Sequence, residues 1–299
     1  MTKRKLFLGN KPVGGSKVVK SLKRAREVTG LYHELRNKIE LLRRTSGNAA
    51  ATMQEIKALE NQVEAMGGTA VYQEASVVAT RHHKTSRWVL QQIDRHRPPP
   101  PLGNKIDVLE VGAINTQLQA ASHLRVRAID IHSQCPKIEE LDFFDLAVDA
   151  AWDCVVCSMV MNCVTDSIAR GEMLVRLCLG HLRRDEHALL LFSLPTRCLA
   201  SAHVGKEDFA RLLGALGVTI LEIRDTPKIT FYSLRPAAPE PSFQALGHQR
   251  RCRDLLRALP KSERACLEKK FRSKPLGGEV VVCRTSADFS LILSEDYWK

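Results

Sequence analysis

The chain has 299 residues, of which 44% are hydrophobic and 5% aromatic, and carries a formal net charge of +12. That length fits one large domain or two smaller ones, and the apolar content suffices for a full core, which excludes a wholly disordered chain. No run of eighteen apolar residues occurs and MTKRKLFLGNKPVGG lacks the apolar stretch of a secretion signal, so neither a membrane span nor export is expected.

The charge is uneven. Residues 1–50 hold thirteen Lys and Arg against three Asp and Glu, which marks them as a basic N-terminal arm. Such an arm on a near-neutral globule points to a polyanion partner, nucleic acid above all, or to a nuclear or nucleolar targeting tail. Within it, VVKSLKRAREVTGLYHELRNKIELLRR shows Val, Leu and Ile at helical spacing. GNAAATMQEIKALENQVEAMGG predicts a second helix that stops at Gly67-Gly68. TAVYQEASVVATRHHKTSRWVLQQIDRH continues helical, with Tyr72, Ala75, Val78, Trp88, Val89 and Ile93 on helical spacings. RPPPP, Arg97 to Pro101, fits neither a helix nor a central strand, so a boundary is placed there, closing a helical lead-in over 51–101.

Beyond Pro101 the rhythm changes. IDVLEVG, RVRAID, WDCVVCSMVM, HALLLFSLP, VTILEIRD and ITFYSLRP read as strands, several separated by helical patterns such as RGEMLVRLCLGHLRR and KEDFARLLGALG. Alternation of this kind implies a mostly parallel sheet covered on both faces. A third strand position falls just before LDFFD, and the last two strands are close enough to pair antiparallel across TPK. The expected fold is α/β: a doubly wound, mostly parallel seven-stranded sheet of the Rossmann-like methyltransferase variety, occupying 102–236 after a helical N-terminal extension. Residues 237–299 form a basic C-terminal extension with a helix around Arg250–Leu259 and a strand-like GGEVVVCRT.

In open α/β sheets, ligands bind at the carboxyl ends of the strands. The first strand ends Glu110-Val111-Gly112, and glycine admits close backbone approach to a ligand. Asp130 follows eighteen positions later at the end of the second strand, placed to accept from ribose hydroxyls. The G-x-G-x-x-G dinucleotide pattern and a phosphate-binding lysine loop are both absent, so a nucleoside cofactor without phosphates, S-adenosylmethionine, fits best. Glu110, Gly112 and Asp130 are the first cofactor-binding expectations. Asp142 is a further one, accepting from the adenine amino group, and Phe143 packs on the ring. Asn162, in SMVMNCVTD at the end of the long apolar strand, sits where such sheets face the reacting group; a turn or cap is its plainer reading. SLPTRC closes the fifth strand opposite the same pocket. CVVC is not read as a metal knuckle, because Cys154 and Cys157 face opposite sides of a strand, and no second CxxC exists. Nine cysteines without a disulfide rhythm suit a reducing compartment.

LEVGAINTQ, VRAIDIHSQCPKIEELDFFD, WDCVVCSMVMNCVTDSIARGEMLVRLC, LLLFSLPTRCLASAH and FYSLRP, in this order, resemble the fungal large-subunit rRNA adenine-N1 methyltransferases. The upstream GGTAVYQEASVVATRHHKTSRWVL is similar to that family's lead-in, though His82 and His83 stand in a stretch that is more glycine- and serine-rich there. The resemblance spans about Gly67 to Pro236. It implies a class I, S-adenosylmethionine-dependent enzyme of the nucleus and nucleolus that methylates N1 of an adenine in 25S/28S rRNA during ribosome biogenesis. Its partner would be large-subunit rRNA or a pre-ribosomal particle, with neither metal nor membrane involved. Carried over to matching positions, Gly112 and Asp130 are its cofactor contacts. Adenine N1 has a lone pair that can attack a sulfonium methyl directly, so the enzyme need only align the atoms and remove water. Asn162 and Asp142 are the catalytic candidates for stabilising the cationic product ring. A non-catalytic S-adenosylmethionine sensor regulating a protein partner is the other reading. The basic arm speaks against it, since a sensor needs no polyanion affinity.

Overall fold

The computed structural model describes residues 21–45, 50–80, 85–131, 133, 135–148, 152–164, 166–201, 203–237, 248–272 and 289–298. The chain divides into two compact units, Met1–His83 and Lys84–Lys299.

In the first unit, α1 (Leu22–Thr45), α2 (Ala50–Ala65) and α3 (Gly68–Thr80) pack on one another. Tyr32, Leu35 and Ile39 form the apolar stripe of α1 and meet Leu59 and Val63 of α2. The Tyr32 ring stacks on Tyr72 of α3 at 4.2 Å between centroids. Gly67 turns the chain between α2 and α3 at φ +102°, where a Cβ would also strike Val71. Lys38–Glu55 and Arg43–Glu60 pair across the exposed side of α1 and α2. Much of the basic arm is thus a helix with a buried face; residues 1–20 lie outside the described residues.

The second unit begins with α4 (Thr85–His96). Its strands are β1 (Ile106–Val111), β2 (Leu124–Asp130), β3 (Glu139–Glu140), β4 (Cys154–Ser158), β5 (Leu189–Pro195), β6 (Val218–Asp225) and β7 (Ile229–Pro236). They form one seven-stranded sheet in the order β3-β2-β1-β4-β5-β7-β6. The first five run parallel, and β7 is antiparallel to both β5 and β6, so the terminal β6–β7 hairpin expected across TPK is present, with β7 lying between β5 and β6. This is the doubly wound methyltransferase arrangement. The strands alternate sides as a period of two requires. Val108, Cys154, Val156, Leu189 and Leu191 join one core with Trp88, Val89 and Ile93 of α4. Leu109, Val155, Cys157, Leu190 and Phe192 join the other, with residues of α5 (Ser167–Val175) and α6 (Lys206–Ala215). Cys154 and Cys157 therefore do lie on opposite faces, and burial pushes both thiols up to about 12.

Two expected boundaries move. The division between units falls at His83/Lys84, not at the Pro run, because α4 is bound to the sheet. Arg97 at the end of α4 donates to the Asp153 and His187 carbonyls at 2.9 and 2.5 Å, which places the start of α4 toward the carboxyl ends of the strands. Residues 98–101 are a short connection inside the unit. At the other end, α7 (His248–Ala258), α8 (Lys261–Phe271) and the segment 289–298 are part of the second core: Cys252, Leu256, Leu267, Phe271, Leu291 and Leu293 are buried there. The strand-like GGEVVVCRT, like His82 and His83, lies outside the described residues. No helix of the described residues is long and apolar enough to cross a membrane.

Candidate functional site

Gly112 takes φ +73° directly after β1. Its N–H and that of Ala113 both donate to the Ile129 carbonyl, at 2.8 and 3.0 Å, which ties the end of β1 to β2 one residue before Asp130. A Cβ at Gly112 would run into the Val160 side chain from the loop after β4. Glycine is thus needed twice here, for the backbone conformation and for room.

Glu110 sits two residues back, beside Val156 of β4 and Ala128 of β2. Its Oε2 is buried and meets no hydrogen-bond partner. Burial pushes its carboxyl up to about 7. An unpaired buried carboxylate is costly, and a cation beside it would relieve that cost. Asp130 closes β2, half-buried, level with Glu140 of β3.

Asp142 caps a short 3₁₀ turn, Phe143–Asp145, by accepting from the Phe144 N–H at 2.9 Å. Asn162 lies in another, Met161–Cys163, anchored by fully buried Met161. Its Nδ2 reaches Cys163 Sγ at 3.4 Å, and its Oδ1 is buried without a partner. Among the described residues, Met159 is the one non-glycine at positive φ, +61°. That conformation costs roughly 1–3 kcal/mol. It lets the chain turn sharply off β4 while the Met159 N–H still donates to the Ser193 carbonyl at 3.0 Å. Ser158 and Ser193 are level on β4 and β5, and both hydroxyls are buried without partners.

Along the carboxyl edge the order is therefore Asp142, Asp130, Glu110 with Gly112, Asn162 with Ser158, then Ser193. The structure brings Glu110, Gly112 and Asp130 onto adjacent strands, and Gly112 against the loop that carries Asn162. It does not bring Asp142 to Asn162. Three strand spacings separate β3 from β4, about 14 Å in all. Asp142 thus stands too far along the edge to act together with Asn162 as a catalytic pair. Phe143 is corrected as well. Its side chain is 5% exposed, set in the core with Leu109 and Ile129 and against the Phe144 and His181 rings, and has almost no surface to offer an adenine. Ser158 and the Val160 wall escaped sequence reading, because nothing in an apolar run tells which serine ends unpaired. No group of three or more His, Cys, Asp or Glu among the described residues could hold a metal.

A family model, described as 25S rRNA (adenine(2142)-N(1))-methyltransferase, Bmt2, matches residues 57–256. Several solved structures are similar. One is the N-methyltransferase NodS from Bradyrhizobium japonicum in complex with S-adenosyl-L-homocysteine, 15% identical, covering 54% of this chain and 91% of that one, TM-score 0.39. Another is an S-adenosylmethionine-dependent methyltransferase from Clostridium acetobutylicum, 11% identical over 56% of this chain and 99% of that one, TM-score 0.43. A third is the 16S rRNA methylase RmtB, 12% identical over 72% and 98% of the two chains, TM-score 0.40. No curated protein matches.

Proposed function

Because the chain belongs to the Bmt2 family of 25S rRNA adenine-N1 methyltransferases, we propose that the carboxyl edge of β2, β1 and β4 is its S-adenosylmethionine site and that Asn162 faces the acceptor adenine. The enzyme is S-adenosylmethionine-dependent and methylates N1 of an adenine in large-subunit rRNA. The observation that carries the assignment of the site is the buried, unpaired Glu110 carboxylate beside the Gly112 turn.

The donor set fits the cofactor. Glu110 holds its cationic amino-acid end, the turn at Gly112 brings backbone close to it, Asp130 accepts from the ribose hydroxyls, and the second carboxylate oxygen of Asp142 accepts from the adenine amino group. When bound, S-adenosylmethionine supplies an electrophilic methyl on a sulfonium, open to in-line attack by adenine N1. N1 lies on the Watson–Crick edge, so the protein takes the base unpaired or flipped from its helix. Asn162 Oδ1, buried and unpartnered, accepts from the adenine amino group as the ring becomes cationic. Phosphate contacts fall to the basic N-terminal residues 1–50. Their charge and the rRNA substrate support a nuclear, nucleolar location and a role in ribosome biogenesis, on rRNA or a pre-ribosomal particle. No observation favours the alternative of a non-catalytic sensor.

The test is nucleoside mass spectrometry of 25S rRNA for N1-methyladenosine, in cells with the protein, without it, and with Gly112→Arg. Loss of one modification in both defective strains is expected, at normal rRNA abundance. Unchanged modification in both would remove rRNA methylation as the role of this chain.

A further inference from the structure

The β4–α5 loop carries Asn162, and its downstream end is held by a segment outside the residues that the family model matches. The family model ends at residue 256, whereas 289–298 folds back onto the start of α5. The Ile292 N–H donates to the Ser167 carbonyl at 2.9 Å, and Ser201 Oγ donates to the Phe289 carbonyl at 2.8 Å. Phe289, Leu291 and Leu293 are buried in the same core as Met161 and Met173.

Arg170 joins this strap to the loop. Its Nε donates to the Val164 carbonyl at 2.7 Å, two residues past Asn162, while its Nη1 donates to the Ser290 carbonyl. Its guanidinium lies over the Phe289 ring, 5.0 Å from the centroid. Next to it, Gly171 has no side chain because the strap backbone occupies that space: a Cβ there would collide with the Ile292 carbonyl oxygen. A helix-interior glycine that is costly to the helix itself, yet leaves room for one passing strand, is a docking groove for that strand.

We propose that Arg170 is a positioning residue for methyl transfer, and that the strap 289–298, seated in the Gly171 groove, fixes Arg170 and through it the loop bearing Asn162. The inference rests on the site assigned above, and adds to it a part from outside the family's matched region. A side chain near the reacting atoms loses about 100-fold in rate for a 1 Å misplacement. Glu110 lies on β1, Gly112 directly after it and Asp130 at the end of β2, whereas the strap bonds to Ser167, Arg170 and Ser201, so cofactor binding is read separately from the transfer step.

The full-length chain with Gly171→Ala, Arg170→Gln or Arg170→Lys is compared with wild type by methyl transfer to 25S rRNA, S-adenosylhomocysteine calorimetry and thermal melting. Gly171→Ala and Arg170→Gln are expected to lower kcat by about 10- to 100-fold, with cofactor Kd within about twofold. Arg170→Lys, which keeps a donor, recovers part of kcat. Alanine at an ordinary helix position would raise the melting temperature, so a fall for Gly171→Ala reports strap displacement. Should that variant fail to fold, the Arg170 pair decides. Unchanged kcat in an active background overturns the proposal, as does a loss of kcat matched by an equal loss of cofactor affinity. An inactive wild type instead removes the assigned function, and this inference with it.

Discussion

β1 carries two acids three residues apart, and the fold treats them in opposite ways. Asp107, at the amino end, receives the Arg125 guanidinium on both carboxylate oxygens, and that hydrogen bonding holds its carboxyl below the usual range. Glu110, at the carboxyl end, has one buried oxygen without a partner, and its carboxyl rises to about 7. Next door, on the amino side of β4, Asp153 gathers Arg97, Arg183 and the Asp107 N–H at 2.9 Å. The acids at the amino end are met by arginines within the protein, Asp153 in the interior and Asp107 at the surface. The one at the carboxyl end keeps a buried oxygen that no hydrogen-bond partner meets, which is why we propose it as a ligand contact.

If that contrast is sound, the largest effect on stability belongs to the amino end. Asp153 is 6% exposed and Arg97 nearly as buried. Asp153→Ala removes the counter-charge of a buried guanidinium and the acceptor of the Asp107 N–H, a loss of about 3–5 kcal/mol. Melting should fall by about ten degrees, while cofactor affinity below the transition stays as it was. A variant that melts like wild type would show that the Asp153 cluster is ornamental, and would erase the contrast.

Glu110→Gln sharpens it from the other side. The folded chain holds the Glu110 proton more tightly than the unfolded chain does. That contribution to stability is complete below about pH 4.5 and is lost as pH rises through about 7. At about 1.4 kcal/mol per unit, the ligand-free protein loses about 3 kcal/mol over that range. Glutamine removes the dependence, so the variant should be the more stable protein at pH 8. It should also bind S-adenosylhomocysteine about tenfold or more weakly, and lack the rise in affinity with pH up to about 7 that is expected of wild type. Calorimetry from pH 6 to 8 on both proteins checks this. Equal slopes would mean that Glu110 does not face the cofactor's charge.

How much of this could be read in advance depends on where the information sits. WDCVVCSMVM and HALLLFSLP announce β4 and β5 because parallel strands buried on both faces become continuous apolar runs. The positions of Glu110, Gly112 and Asp130 at the carboxyl edge were legible for the same reason: each lies at or directly after the end of a strand whose own pattern is strong. The Pro run misled because proline says only that a segment is neither helix nor central strand, and α4 before it is amphipathic whether it packs on a sheet or on a neighbouring helix. Phe143 misled because its neighbour Asp142 fixes a turn, while the choice between core and pocket is made by Leu109 and Ile129, distant in sequence. The Arg170 clamp left no local trace. An arginine at the start of a helix is ordinary until a segment 120 residues later supplies its acceptor.

The smallest effect should come from Asp107 itself. Its partner Arg125 has a side chain 70% exposed, so the pair is a surface one despite its two bonds and contributes little. The Asp107 carboxyl is lowered in the folded chain, so what it contributes is present above its unfolded value of 3.8 and fades as pH falls below that. Asp107→Asn should therefore shift melting by no more than a few degrees at pH 7, and by less in high salt, where exposed charges are screened. Its backbone N–H stays on Asp153, so β1 keeps its place and kcat does not change. A fall in methyl transfer from this substitution alone would mean that the amino end of β1 reports to the carboxyl end. The division between an acid that braces the sheet and an acid that waits for a ligand would then have to be redrawn as one coupled strand.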